Sequence, residues 1–175
     1  DIGTHLRIVD FEGHDLGPGE IGEIIVQSNK NMLEYWRKPE ETEAVIRNGW
    51  LYTGDMGYYD SKGYIYLADR KKDLIITGGE NVYPKEVENI LYKHPSVAEV
   101  AVIGLPDDYW GERVHAVIIL NKNASVTAEE IIAFSKKHIA SFKAPKTVDF
   151  VDSFPMSPQG KVLKRKLKKQ YLNQN

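Results

Sequence analysis

Asp69-Arg-Lys-Lys-Asp-Leu-Ile-Ile-Thr-Gly-Gly-Glu-Asn-Val-Tyr-Pro-Lys-Glu-Val-Glu88 decides how this chain is divided. The charged cluster from Asp69 to Asp73 must stay hydrated, whereas Leu74-Ile-Ile-Thr77 is a short apolar strand that must be buried. Their direct apposition reads as a joint between two bodies. Gly78 and Gly79 follow, and residues without a Cβ let backbone approach another group closely and take positive φ. Pro84 then opens a helix expected over Tyr83–His94, with Val87, Ile90 and Leu91 at the i, i+3, i+4 spacing of one buried face.

Upstream the chain reads as β-rich. Leu6–Asp10 alternates, Phe11–His14 offers a turn, and Gly22–Gln27 is a second strand. Pro39–Ile46 is a short helix with Pro in its first turn. Gly57–Asp60 and Tyr64–Ala68 flank Ser61-Lys-Gly63 as a hairpin. Downstream, Val97–Gly104 and Val114–Leu120 are strands. Thr127-Ala-Glu-Glu130 is a capping box opening a helix to about Ile139. Thr147–Val151 is a last strand before a basic helix in which Val162, Leu163 and Leu167 line one side. The expected class is α+β: a small antiparallel β unit over residues 1–71, then a compact α+β domain over residues 72–175.

Composition is that of an ordinary globular chain: 175 residues, 42% hydrophobic, 27% charged, formal charge −2. With no cysteine there is neither a disulfide framework nor a thiolate zinc site, which permits a reducing compartment and points to the cytoplasm. No apolar run approaches the roughly 20 residues of a membrane-spanning helix. The first residues have no secretory signal pattern and no Met, and read like the middle of a longer protein. Lys161–Lys169 carries no acid; such a tail suits nucleic acid, an acidic lipid surface, phosphorylated small molecules, or a solvated helix face.

Three further motifs bear chemistry. Asp55, closing Thr53-Gly-Asp at a strand–turn edge, sits where a carboxylate can accept two hydrogen bonds from a ribose diol; an Asp-closed turn is the commoner use of these residues taken alone. Arg70, Lys71 and Lys72 form either a solvated linker or a charged hinge. Phe154-Pro-Met-Ser-Pro-Gln-Gly-Lys161 makes a rigid, exposed turn ending in a point charge. His5, His14, His94, His115 and His138 show no metal spacing, and no metal site is expected.

Leu51-Tyr-Thr-Gly-Asp55, the Asp69–Glu88 stretch and Pro158-Gln-Gly-Lys161 together resemble the C-terminal portion of the adenylate-forming superfamily, the AMP-forming acyl-CoA synthetases and their relatives. The resemblance runs over essentially the whole chain. It implies that residues 1–71 are the last β subdomain, a piece of distorted β-barrel, of a large N-terminal domain, and that residues 72–175 are the mobile C-terminal domain. It further implies that Asp55 holds the ATP ribose, that Arg70 contacts ribose or phosphate, and that Lys72 is the hinge. By the same resemblance Gly78, Gly79 and Glu80 line the channel for the pantetheine arm of CoA, and Lys161 reaches the acyl carboxylate and α-phosphate to drive adenylation. Trp110, Phe142 and Lys143 lie in segments that approach the CoA nucleotide in some relatives, although both aromatics suit a core equally.

The Gly-Gly-Glu-Asn-Val-Tyr-Pro form of the loop is similar to that of fatty-acyl and aryl CoA ligases, which disfavours carrier-protein loading. The family's phosphate loop, its Thr-Glu step for Mg2+ and its acyl pocket are not in this sequence. The expectation is therefore part of an ATP-dependent fatty-acyl-CoA synthetase using ATP, Mg2+ (with ligands outside this chain) and CoA. Its partners would be a carboxylate substrate and the remaining N-terminal domain, with peripheral membrane contact open and no nucleic acid. The piece alone is expected to be inactive in adenylation. The alternatives are a non-enzymatic CoA- or partner-binding module, or a carrier-protein-loading adenylation enzyme.

Overall fold

A computed structural model describes residues 3–173, which divide into two compact units, one up to Lys72 and one from Asp73. The outermost residues of the two expected domains, 1 and 175, lie outside the described residues.

The first unit contains β1 (Thr4–Val9), β2 (Gly22–Ser28), α1 (Pro39–Val45), β3 (Ile46–Arg47), β4 (Trp50–Tyr59) and β5 (Ile65–Arg70). They form a five-stranded antiparallel sheet ordered β1-β2-β4-β3, with β5 also paired to β4. The alternation of β1 sets its register, Leu6 opposite Val26 and Ile8 opposite Ile24. Ile8, Val9, Ile24, Ile25 and Met56 are buried there. The β4–β5 hairpin closes as expected around Ser61–Gly63, with the Asp60 carboxylate accepting from the Lys62 and Tyr64 amides.

Two local features differ from expectation. β4 begins at Trp50, seven residues before the expected Gly57. Thr53-Gly-Asp55 is also not a strand–turn edge: the step from Tyr52 to Met56 opposes only Glu23 to Ile25, so it is a bulge inside β4. Gly54 there has φ +72, a conformation most side chains resist. Bulges re-aim side chains, and this one sets the direction of Asp55. Lys71–Asp73 forms a single 3-10 turn after β5.

The second unit contains β6 (Ile75–Thr77), β7 (Glu80–Val82), α2 (Pro84–Leu91), β8 (Val97–Asp107), β9 (Gly111–Leu120), α3 (Ala128–Lys136), β10 (Thr147–Phe150) and α4 (Lys164–Leu172). Its sheet is ordered β10-β9-β6-β7, with β8 also paired to β9. β9 and β10 are parallel. Parallel neighbours need a crossover, and α3 lies within that connection. The expected capping box is present: Thr127 Oγ1 accepts from the Glu130 amide at 3.2 Å, and Glu130 Oε2 from the Thr127 amide at 2.8 Å.

Helices α2 and α3 stop short of expectation. α2 ends at Leu91 because the following amides of Lys93 and His94 bond three residues back, and Pro95 then disfavours helical φ,ψ at His94. α3 gives way similarly after Lys136, where Lys137 and His138 bond three residues back.

The period of two along β8 builds two cores. Val100 and Val102 face one side with Ile75, Val87, Leu91, Val114, Ile131 and Val148. Ala101, Ile103 and Leu105 face the other with Val117, Phe154 and Leu167. Leu167 is therefore the buried anchor of α4, as its spacing predicts, whereas Val162 precedes the helix, in an isolated bridge with Met156.

Candidate functional site

In the first unit Asp55 and Arg70, far apart in sequence, are cross-strand partners on β4 and β5. Arg70 Nε forms an ion pair with Asp55 Oδ1 at 2.7 Å, which leaves Oδ2 outside the pair. The Asp55 amide donates to Thr53 Oγ1, whose hydroxyl in turn donates to the Ile24 carbonyl at 2.7 Å. Beside this bulge lies a carboxylate that sequence reasoning missed. Glu23, 5% exposed, accepts from the Gly54 amide at 3.1 Å and from Lys71 Nζ at 2.6 Å. A buried acid is retained only when paired and hydrogen-bonded. Lys71 is thus committed to the β unit, and Lys72, in the same 3-10 turn, is exposed. The bulge and its acid–base pairs can present one carboxylate and one guanidinium to a diol or phosphate.

In the second unit Gly78 and Gly79 form the turn between β6 and β7, with φ +59 and +83. They do different work. A Cβ on Gly78 would lie 2.8 Å from Trp110 Cε3, and the Gly78 amide donates to the Trp110 carbonyl at 2.8 Å. Gly78 is the seat of Trp110. A Cβ on Gly79 would meet nothing within 4 Å. Glu80 is exposed beside it. Trp110, 40% exposed, has the Lys146 ammonium 5.3 Å from its ring centroid and the Tyr109 ring against it at 4.7 Å. Phe142 packs, half-buried, against the larger core. Lys143 Nζ bonds both carboxylate oxygens of Glu86 at 2.9 and 2.8 Å. Trp110 and the glycine turn therefore come together, while Phe142 and Lys143 belong to the packing of α2 against the β10 approach.

Lys161 ends a tight hairpin. The Ser157 amide donates to the Lys161 carbonyl at 2.8 Å, the Lys161 amide to Ser157 Oγ at 3.1 Å, and the Gly160 amide to the Ser157 carbonyl at 2.9 Å. Its ammonium is exposed and has no ion-pair partner among the described residues. Its neighbours differ: Lys164 Nζ meets Glu88 at 2.6 Å and Lys168 Nζ meets Glu112 at 2.7 Å. The acid-free tail is thus only partly a free cationic face. Two of its lysines are spent on acids supplied by α2 and β9, a fact no reading of the tail alone could reach.

Between β9, β10 and α4 lies a cavity of about 420 Å³ lined by Arg113, His115, Thr147, Asp149 and Tyr171. His115 is buried, with Nδ1 2.7 Å from Thr147 Oγ1 and its ring against Tyr171 at 4.7 Å. Burial holds its pKa below the ordinary 6.5; Arg113 adds to that and Asp149 opposes it. Burial also pushes the Tyr171 hydroxyl up to about 12, with help from Asp149. The unfolded chain binds a proton at His115 near pH 6.5 that the folded chain resists, so the second unit should lose stability as pH falls below about 6.5. His115→Gln should flatten that dependence, read as urea midpoints between pH 5 and pH 8. An unchanged pH slope would remove His115 as its source.

Asp10, Glu12 and His14 bring ligand atoms within 4.8 Å of one another, a grouping the sequence reading did not anticipate. The Asp10 carboxylate is occupied in closing this exposed turn, accepting from the Glu12 and His14 amides at 2.8 and 2.9 Å. Among the described residues no helix is long and apolar enough to cross a membrane.

Residues 86–161 match the family profile of the AMP-binding enzyme C-terminal domain. Over 94% of its length the chain is 49% identical to a long-chain-fatty-acid–CoA ligase of Bacillus subtilis, covering 30% of that protein. It is 42% identical over 97% of its length to the fatty acid–[acyl-carrier-protein] ligase ScoC of Streptomyces coeruleorubidus, covering 33% of it. The crystal structure of ATP-bound MatB from Rhodopseudomonas palustris superimposes with a TM-score of 0.91 at 41% identity, over 97% of this chain and 34% of that one. The chain spans about a third of the length of the relatives it matches. Residues 86–161, which hold Trp110 and end on Lys161, are thus an AMP-binding enzyme C-terminal domain, and nearly the whole chain is similar to the C-terminal part of long-chain-fatty-acid–CoA ligases and of their structural relative MatB.

Proposed function

We propose that this chain is the C-terminal part of an ATP-dependent fatty-acyl-CoA synthetase. In the full-length protein a carboxylate oxygen attacks the α-phosphorus of ATP and pyrophosphate leaves with the broken P–O bond. The CoA thiol then attacks the acyl carbon, loses its proton, and AMP leaves. Asp55 and Arg70 would hold ribose and phosphate, and Lys161 would meet the negative charge building between carboxylate and α-phosphate. Gly78, Gly79 and Glu80 would border the path of the pantetheine arm, and Trp110 would stand beside that path. Phe142 and Lys143 are weaker CoA candidates, because Lys143 would have to leave Glu86. Lys72 would be the hinge, since Lys71 is held by Glu23 and the next residue is exposed. Mg2+ would screen phosphate charge with ligands from outside this chain. The cytoplasm, where ATP and CoA are available, is the proposed location.

The observation that carries this reading is the contrast among the tail lysines. Lys161 alone ends a hydrogen-bonded hairpin with an uncommitted ammonium, while Lys164 and Lys168 are ion-paired. A module that only binds CoA or a partner protein gives no reason for that difference. The test is pyrophosphate exchange and thioester formation by a full-length protein carrying this chain, across fatty, aryl and short acids. Fatty acids should give the highest kcat/KM, with CoA as acceptor. This chain alone should support no exchange; exchange without the phosphate loop would overturn the assignment. Similarity to ScoC favours one second reading, transfer to a carrier protein, and a thioester formed on holo carrier protein but not on CoA would establish it.

A further inference from the structure

The first turn of α4 is electrostatically unfavourable on its own. It has no side-chain cap, no acid, and Lys164, Arg165 and Lys166 at the end where the helix dipole is positive. What offsets this comes from another element. Glu88 of α2, 5% exposed, forms an ion pair with Lys164 Nζ at 2.6 Å and accepts a hydrogen bond from the Val102 amide at 2.9 Å. That amide lies on β8, whose named partner is β9 alone, so the carboxylate fills a backbone donor on an otherwise open edge. Glu88 therefore ties the start of α4 to the sheet.

The tie reaches Lys161 through few bonds. The Leu163 amide donates to the Pro155 carbonyl at 2.8 Å, and Met156 and Val162 form an antiparallel bridge. Ser157 and Lys161 exchange the hydrogen bonds that close the tip. One leg of this hairpin is rooted by Phe154 in the core. The other leg runs directly into Lys164. We propose that Glu88 is a positioning residue for Lys161: by pinning Lys164 it fixes the second leg of the hairpin and the place from which the Lys161 ammonium reaches. Without the charge on Glu88, Lys164 at the positive end of α4 is repelled, the first turn loosens, and the tip loses its register.

This inference rests on the reading of Lys161 as the adenylation residue. Its test uses a full-length protein carrying this chain, with Glu88→Gln, Lys164→Met, the double variant, Lys164→Arg and Lys161→Ala measured together. Gln keeps the acceptor for Val102 and the shape of Glu88. Glu88→Gln and Lys164→Met should each slow adenylation by about 10- to 100-fold, the range expected for misplacing a reacting group by about 1 Å. KM for ATP should change less than about twofold, and so should thioester formation from pre-made acyl-adenylate. The double variant should be no slower than either single one, and Lys164→Arg should retain most activity. Equal loss in both half-reactions, or a double variant slowed by the product of the two factors, would overturn the proposal. Amide exchange gives a readout independent of catalysis: in Glu88→Gln, Gly160 and Lys161 should exchange faster while Val117 in β9 does not. Unchanged exchange at the tip would also refute it. If Lys161→Ala leaves adenylation intact, the parent reading falls, and the exchange result still decides whether Glu88 holds the hairpin.

Discussion

Lys161→Ala in a full-length protein carrying this chain should slow acyl-adenylate formation by about 100- to 1000-fold, the usual cost of removing one well-placed transition-state donor. Thioester formation from pre-made acyl-adenylate should be nearly unaffected, because the ammonium is proposed to act on charge that builds only in the first half-reaction. The structure makes this substitution easy to interpret. Lys161 is exposed and has no ion-pair partner among the described residues, so removing its side chain breaks no ion pair there. The hairpin is held by backbone groups and Ser157 Oγ, which Ala preserves. Acetylation of the same lysine removes the charge and should give the same partition. Equal slowing of both half-reactions would make Lys161 structural. Lys166 would then be the candidate to test, since Lys164 is already committed to Glu88.

Gly79→Leu should have the opposite partition: thioester formation reduced by about 100-fold, the effect of blocking a near-attack geometry, with pyrophosphate release nearly intact. A Cβ at Gly79 meets nothing within 4 Å, so a substituent there starts into open space. Strain at φ +83 is the competing cause, and a non-glycine residue there costs about 1–2 kcal/mol. Gly79→Ala carries the same backbone strain without the bulk, so a mild Ala and a severe Leu would assign the effect to the channel. If both fall equally, the turn itself is what the second half-reaction needs. Gly78→Ala is a different experiment, since its Cβ would strike Trp110 rather than open space.

The sequence by itself determined the class of the fold and most of its elements. Period-two alternation marked β1, apolar runs marked β8 and β9, the Thr127–Glu130 capping box marked α3, and Pro84 with Val87 and Leu91 marked α2. These signals are local, because hydrogen-bond period, capping and proline geometry act over a few residues. The Lys161 hairpin was legible for the same reason: Pro158 and Gly160 dictate a turn.

What sequence could not show was pairing at a distance. Asp55 and Arg70 meet because β4 and β5 are in register. The bulge that aims Asp55 exists because β2 opposes β4 with fewer residues. Glu23, Glu88 and Glu112 look in sequence like ordinary acids. They became the partners of Lys71, Lys164 and Lys168 only once the chain had folded. A buried carboxylate needs a cation and donors to offset its lost hydration, and those come from strands and helices that the sequence does not order. Which lysines of the basic tail are left uncommitted was therefore decided by tertiary structure, because three-dimensional neighbours neutralise Lys164 and Lys168 and leave Lys161, Lys166 and Lys169 exposed.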